Sequence, residues 1–283
     1  GVVVGGRGRR ARSPTPSPRS RYIIMSAAHS HDDHIGYWGP KTSTMDFCEP
    51  NYEHSHYVAE LYNTITSIPI FLVGLSGVLL SKSQRLGREQ TLCYTMVAIV
   101  GIGSVAFHAT LLRTGQVLDE VPMLWATLTL IYAAYQHRGD RRRRRAMGLV
   151  PTSKRLTLVG ACLIVYAAIA TILYFQTGFL TFVVAYGASV VVLIGLASTI
   201  LFTETPPVGP DPKRLLLTAA CTYAGGFVLL WAPGEILCHS VPIVKRLPLH
   251  ALFHLTSAAG PHLGLTAFAC ARFDGEKNVR TPS

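Results

Sequence analysis

Apolar residues in this chain fall in long, nearly unbroken runs, not in the alternating or every-third-or-fourth patterns of half-buried strands and helices. Seven runs reach roughly 20 residues: 57–80, 91–111, 116–135, 156–175, 179–202, 215–233 and 247–271. A helix rises about 1.5 Å per residue and the hydrocarbon core of a bilayer is about 30 Å thick, so each run is long enough to cross it. The links between the runs are short and polar. The pattern predicts an all-α integral membrane protein, a seven-transmembrane helix bundle, and leaves too little polar chain to clothe a soluble all-α fold.

Composition agrees. The 283 residues are 49% hydrophobic and 14% charged, with a mean hydropathy of +0.32 and a net charge of +11. Soluble domains carry about 25% charged residues, so the positive excess does not describe a nucleic-acid-binding surface, and no nucleic-acid partner is expected. Residues 1–24 hold six arginines with several Ser and Pro and no acid. They read as a disordered or non-native extension, with Met25 as a natural start.

Charge also orients the bundle. Sixteen Lys and Arg, from Lys82, Arg85 and Arg88 through the 138–155 link to Lys213, Arg214, Arg272, Lys277 and Arg280, fall on one face. Lys41, Arg113, Lys245 and Arg246 fall on the other. By the positive-inside rule the first face is cytosolic, which places the N-terminus in the lumen or outside and the C-terminus, 272–283, in the cytosol. The arginine run at 138–145 then reads as an anchor between spans three and four. Six cysteines show no CxxC spacing, and Cys93, Cys162, Cys221 and Cys270 lie in spans, where a free Cys acts as a small hydrophobe.

Ionisable side chains inside spans are costly, and each is a functional candidate. Here they are Glu60, His108, Asp119, Glu120, His250, His254 and His262. His250 and His254 are four apart at the start of span seven, on one helical face. Span two runs toward the lumen and ends near His108, with Ser104 one turn earlier; Asp119 begins span three at the same depth. Three imidazoles with one open position is the ligand count of a catalytic zinc site, which makes a water nucleophilic and polarises a carbonyl. Asp119 is placed either to move protons or to hold a ligand histidine, and Ser104 either to donate to an oxyanion or to bond its own helix. The chemistry expected is hydrolysis of an amide or ester at the lumenal leaflet.

Ahead of span one, Asp46, Glu49, Asn51 and Glu60, with the Phe47 carbonyl, offer only oxygen donors. Such a set suits calcium; an acidic loop that caps a helix is the other reading. Cys48 and Cys238 share the lumenal side, where a disulfide can form, but two cysteines in unaligned loops are expected to be free.

These residues resemble the alkaline ceramidases, seven-span hydrolases related to the adiponectin receptors. The likeness is carried by Gly36-Tyr-Trp-Gly-Pro40, Ser43-Thr-Met-Asp-Phe-Cys-Glu49, Asn51-Tyr52, Ala59-Glu-Leu-Tyr-Asn-Thr64, Ser104-Val-Ala-Phe-His108, Leu118-Asp-Glu-Val-Pro-Met123 and His250-Ala-Leu-Phe-His254. The resemblance implies zinc on His108, His250 and His254, with Ser104 and Asp119 catalytic. It also implies calcium on Asp46, Phe47 through its carbonyl, Glu49, Asn51 and Glu60, in a lumenal segment 25–56 ahead of a catalytic domain at 57–271. The implied reaction is hydrolysis of the N-acyl bond of ceramide or phytoceramide taken from the bilayer, in an endoplasmic reticulum or Golgi membrane. Phe47 stands where that family usually has Trp, and Pro50 where an acid is common. The rival readings are a related seven-span lipid ester hydrolase and a seven-helix receptor whose metal is structural. His29, His31, His34 with Asp32 and Asp33 read as a solvated tail; His239, His262 and Glu120 are left outside the site.

Overall fold

The computed structural model describes residues 1, 35–145, 153–201, 210–238 and 240–280. The 1–24 extension, the His29 to His34 cluster and His239 lie outside the described residues. Ile35–Ser283 form one compact unit.

Its elements are α1 Leu61–Ser83, α2 Arg88–Thr110, α3 Arg113–Arg145, α4 Ser153–Thr177, α5 Phe179–Leu201 and α6 Pro212–Gly226. A π-helical turn, Phe227–Trp231, leads into the short α7 Ala232–Leu237, then α8 Pro242–Lys245 and the long α9 Leu249–Arg280. Apart from residues 57–60 and 247–248, the described residues of the seven apolar runs are almost all helical. Among the described residues the only strand-like feature is a single bridge between Gly36 and Gly39. Six helical segments are long and apolar enough to cross a membrane: Leu61–Ser83, Arg88–Thr110, Arg113–Gln136, Lys154–Thr177, Phe179–Ser198 and Pro212–Leu237. In α9, 32 residues long, the apolar run is broken by His250, His254, Pro261 and His262.

Large apolar side chains face outward, Ile164 at 72% and Val191 at 70% exposure among them. The buried set includes Glu60, Asn63, Ser67, Ser104, Gln116 and all three site histidines. A soluble monomer does not expose apolar surface on this scale. The chain is a multi-pass membrane protein.

Small residues let the helices meet. In hydrocarbon, helices associate by close van der Waals packing over small side chains. A Cβ on Gly101 would run into the backbone of Phe71 in α1, and one on Gly103 into the backbone at Leu118 and Asp119 in α3. Gly103 therefore brings the start of α3 against the end of α2, beside Ser104. Helix α9 closes the group by packing on α1 and α6.

The N-terminal segment folds over this end of the bundle. Ala59 and Glu60 donate their backbone N–H groups to the carbonyls of Ala109 and His108, both at 2.9 Å. Leu111, at φ 52°, closes α2 in the left-handed conformation, and its carbonyl accepts from Thr42 and Ser43 at 3.2 and 3.0 Å. Cys48 and Cys238, expected to be free thiols, form a disulfide with Cα atoms 6.0 Å apart. The expectation failed because the fold brings their two loops together across 190 residues of sequence, and no linear spacing reports that.

The sixth apolar run was expected to end at residue 233, but helix continues to Leu237. Pro233 has no N–H to give the carbonyl one turn back. The backbone widens instead into the π turn, where Ala232 N–H reaches the Phe227 carbonyl, and the helix resumes.

Gly103→Val is expected to destabilise the protein by about 1–3 kcal/mol through overpacking. Gly187→Ala, with nothing within 4 Å of the added Cβ, is its control. Thermal unfolding of the purified protein in detergent reads both, and an unchanged melting temperature for Gly103→Val would contradict the close approach. Cys48→Ser is expected to cost about 2–4 kcal/mol by opening a long loop, measured by the same melt with and without reductant.

Candidate metal centre

Four helix ends and one loop converge here. His108 sits in the last turn of α2, His250 and His254 in the first two turns of α9, Asp119 in the second turn of α3, and Glu60 at the N-terminus of α1. The three imidazoles are buried, and their ligand atoms lie within 4.8 Å of one another. Ring centroids are 4.7 Å apart for His250 and His254, 4.9 Å for His108 and His254, and 5.2 Å for His108 and His250. Among the described residues this is the only group of three or more His, Cys, Asp or Glu side chains gathered so tightly.

Each Nδ1 faces a different partner. His108 Nδ1 lies 2.5 Å from Glu60 Oε2. His254 Nδ1 lies 3.0 Å from Thr66 Oγ1 and 3.4 Å from Ser67 Oγ. His250 Nδ1 has Glu235 Oε1 at 3.4 Å. A histidine that ligates through Nε2 has its other nitrogen held as those of His108 and His254 are, while His250 Nδ1 and Glu235 Oε1 approach without a formed hydrogen bond. His108 Nε2 is buried with no protein partner, and a buried unsatisfied nitrogen is rare unless something else occupies it. The trio therefore fits a metal ion with nitrogen ligands.

Glu60 holds more than one ring. Its Oε1 accepts from Phe47 N–H at 3.2 Å, and its Oε2 accepts from Asn63 Nδ2 at 3.0 Å as well as facing His108. Ser67 Oγ donates to the Asn63 carbonyl at 2.7 Å and stands 2.9 Å from Ser104 Oγ. Gly103 brings the backbone of Asp119 against α2 beside Ser104. The two residues expected to be catalytic are thus neighbours, on the same side as the histidines.

The acidic loop divides. Glu49 caps α1, accepting from Tyr62 N–H at 2.7 Å and Asn63 N–H at 2.9 Å, the orphan donors of a helix start. Burial pushes its carboxyl above the ordinary carboxylate range, against the lowering pull of those two backbone groups. Asp46 binds Lys41 at 2.7 Å and Asn51 Nδ2 at 3.1 Å. Asn51 Oδ1 is buried with no partner. The carboxylates of Asp46, Glu49 and Glu60 are not drawn within the distance that unites the histidines.

The sequence reading did not identify four features of the site. The Phe47 ring, considered only for its carbonyl, lies 3.7 Å between centroids from the His250 ring and 5.2 Å from that of His108. Thr66 and Ser67 lie below Glu60 and Asn63 on α1, and that polar stripe in an apolar span was the signal for them. Glu235 gave none beyond being an acid near the lumenal side. Elsewhere, His262 bonds the Tyr94 hydroxyl at 3.0 Å and Glu120 accepts from Gln116 at 2.8 Å.

A buried trio of imidazoles inside an apolar helical bundle defines a multi-pass membrane protein with a pocket that could hold a metal ion. Residues 39–282 match the family described as Ceramidase, and the chain belongs to that family. It is 30% identical to Alkaline ceramidase 3 of Mus musculus over 241 residues, 82% of this chain and 84% of that protein. It is 26% identical to Alkaline ceramidase of Drosophila melanogaster over 248 residues, 86% of this chain and 82% of that protein. A shorter stretch of 99 residues, 35% of this chain and 39% of the relative, is 41% identical to Alkaline ceramidase of Arabidopsis thaliana.

Metal analysis of the purified protein is expected to find about one divalent ion per chain bound through the histidines. His108→Ala and His254→Ala should each lose it. Equal metal content in wild type and both variants would rule the trio out as the ligands.

Proposed function

We propose that this chain is a zinc-dependent alkaline ceramidase, hydrolysing the N-acyl amide of ceramide or phytoceramide to a sphingoid base and a fatty acid. The observation that carries it is the convergence of His108, His250 and His254, each with its Nδ1 turned to a partner, beside Asp119 and Ser104. The named ceramidases it resembles over most of their length support the amide as the bond cut.

Zinc held by the three histidines would supply Lewis-acid chemistry, a polarised carbonyl and a more acidic water. The protein's own residues do the rest. Asp119 takes the proton of the attacking water and returns it to the amine nitrogen as the C–N bond breaks. Ser104 turns its hydroxyl toward the amide oxygen as charge builds there. The Phe47 ring walls His250 and keeps water from that side of it. Exposed apolar helix faces put the pocket within reach of a lipid entering from the side.

Calcium belongs to the same reading. Asp46, Glu49, Asn51 and Glu60, with the Phe47 carbonyl, would hold it as a hard, oxygen-ligated ion. The orphaned Asn51 Oδ1 among these acids supports that assignment. It would offset their mutual repulsion and tie the N-terminal segment to α1. We place the protein in an endoplasmic reticulum or Golgi membrane, crossing seven times with α9 as the seventh span. Its N-terminus is lumenal and its C-terminus cytosolic, following the charge asymmetry.

Fluorescent ceramides in detergent micelles test the activity. Asp119→Ala and His254→Ala are each expected to lose at least about 100-fold in kcat/KM, and zinc chelation should abolish turnover in wild type. Unchanged turnover in both variants would overturn the mechanism; cleavage of a phospholipid ester but of no ceramide would overturn the substrate.

A further inference from the structure

The pocket contains one carboxylate that neither the sequence motifs nor the proposed mechanism uses. Glu235 Oε1 and His250 Nδ1 stand 3.4 Å apart, too oblique for a formed hydrogen bond, and both atoms are buried with no other polar partner. Two such groups facing each other are each other's only remedy, since leaving a buried donor and acceptor unpaired is costly.

Glu235 is also built in. It lies on α7 immediately after the π turn, three residues before Cys238, whose disulfide to Cys48 fixes that end of the helix. At Gly234 the helix runs so close to the start of α9 that an added Cβ would stand 3.3 Å from Leu249 Cβ. On the other side the Phe47 ring presses on His250, and Phe47 adjoins Cys48. The ring of His250 is thus caught between an aromatic face and a carboxylate, with the same cross-link bracing both.

We propose that Glu235 is a positioning residue: its carboxylate accepts the Nδ1 proton of His250, fixing the tautomer and turning Nε2 to the point shared with His108 and His254. The inference rests on the reading of those histidines as a zinc site. It gives His250 the partner that Glu60 gives His108 and that Thr66 and Ser67 give His254. Removing such an outer partner typically weakens metal binding 10- to 100-fold.

The test is zinc affinity of the purified full chain, titrated with zinc against a competing chelator, alongside the melting temperature of the zinc-free protein. Glu235→Ala is expected to bind zinc 10- to 100-fold more weakly. Glu235→Gln keeps the shape and an accepting oxygen but no charge, and should fall between wild type and Ala. Its zinc-free melting temperature should match that of wild type, which a merely structural role would not combine with weakened binding. If Glu235→Ala does not fold, Glu235→Gln alone decides. Wild-type zinc affinity in Glu235→Gln, or a loss accounted for entirely by a lower zinc-free melting temperature, overturns the proposal. Absence of zinc binding in wild type overturns the histidine site and this inference together, and so separates the two failures.

Discussion

Three imidazoles packed into an apolar bundle each leave a ring nitrogen that must be satisfied without water. The contact between His108 and Glu60 is the most deeply buried answer, with both side chains at 0% exposure. Breaking such a pair from one side costs about 1–3 kcal/mol, because the survivor's buried polar atom is left unsatisfied. Nearly everything at this end of the molecule attaches to it. Glu60 also binds Phe47 and Asn63, Asn63 carries Ser67, and Ser67 carries Ser104. A single carboxylate at a helix start therefore links the N-terminal segment, the buried histidine and the serine beside Asp119.

That arrangement explains why the segment ahead of α1 is folded over the bundle. Its backbone pairs with the last turn of α2, Glu49 caps α1, and Cys48 is joined to the far side of the chain. Each tie acts on an element that holds a site residue. The glycines perform the same task within the hydrocarbon: Gly103 sets how near Asp119 comes to Ser104, and Gly234 how near α7 comes to His250.

The helices were legible in the sequence because length and hydropathy alone decide what spans a bilayer. Even α9 was legible by length, though its three histidines keep it from standing out as a uniformly apolar run. The histidine cluster was legible because ionisable groups are rare in spans and their depths could be compared. Partners drawn from other elements were not. Glu235 and Cys238 come near His250 and Cys48 only through the π turn and the packing of α7, which no periodicity reports. The acidic loop was half legible: helix capping and calcium binding draw on the same residue types, and Glu49 does cap α1, so the capping reading accounts for one of its acids.

The order of the helices has a consequence for how the protein is made. Glu60 and His108 belong to the first two helices, while His250 and His254 belong to the last. During synthesis the chain must insert and hold a buried acid–histidine pair long before the other two rings exist. Cys48 likewise waits 190 residues for its partner. The pocket is therefore the final product of biogenesis, complete only when α9 has docked against α1, and a chain interrupted before that helix would keep most of its membrane anchorage and none of its chemistry.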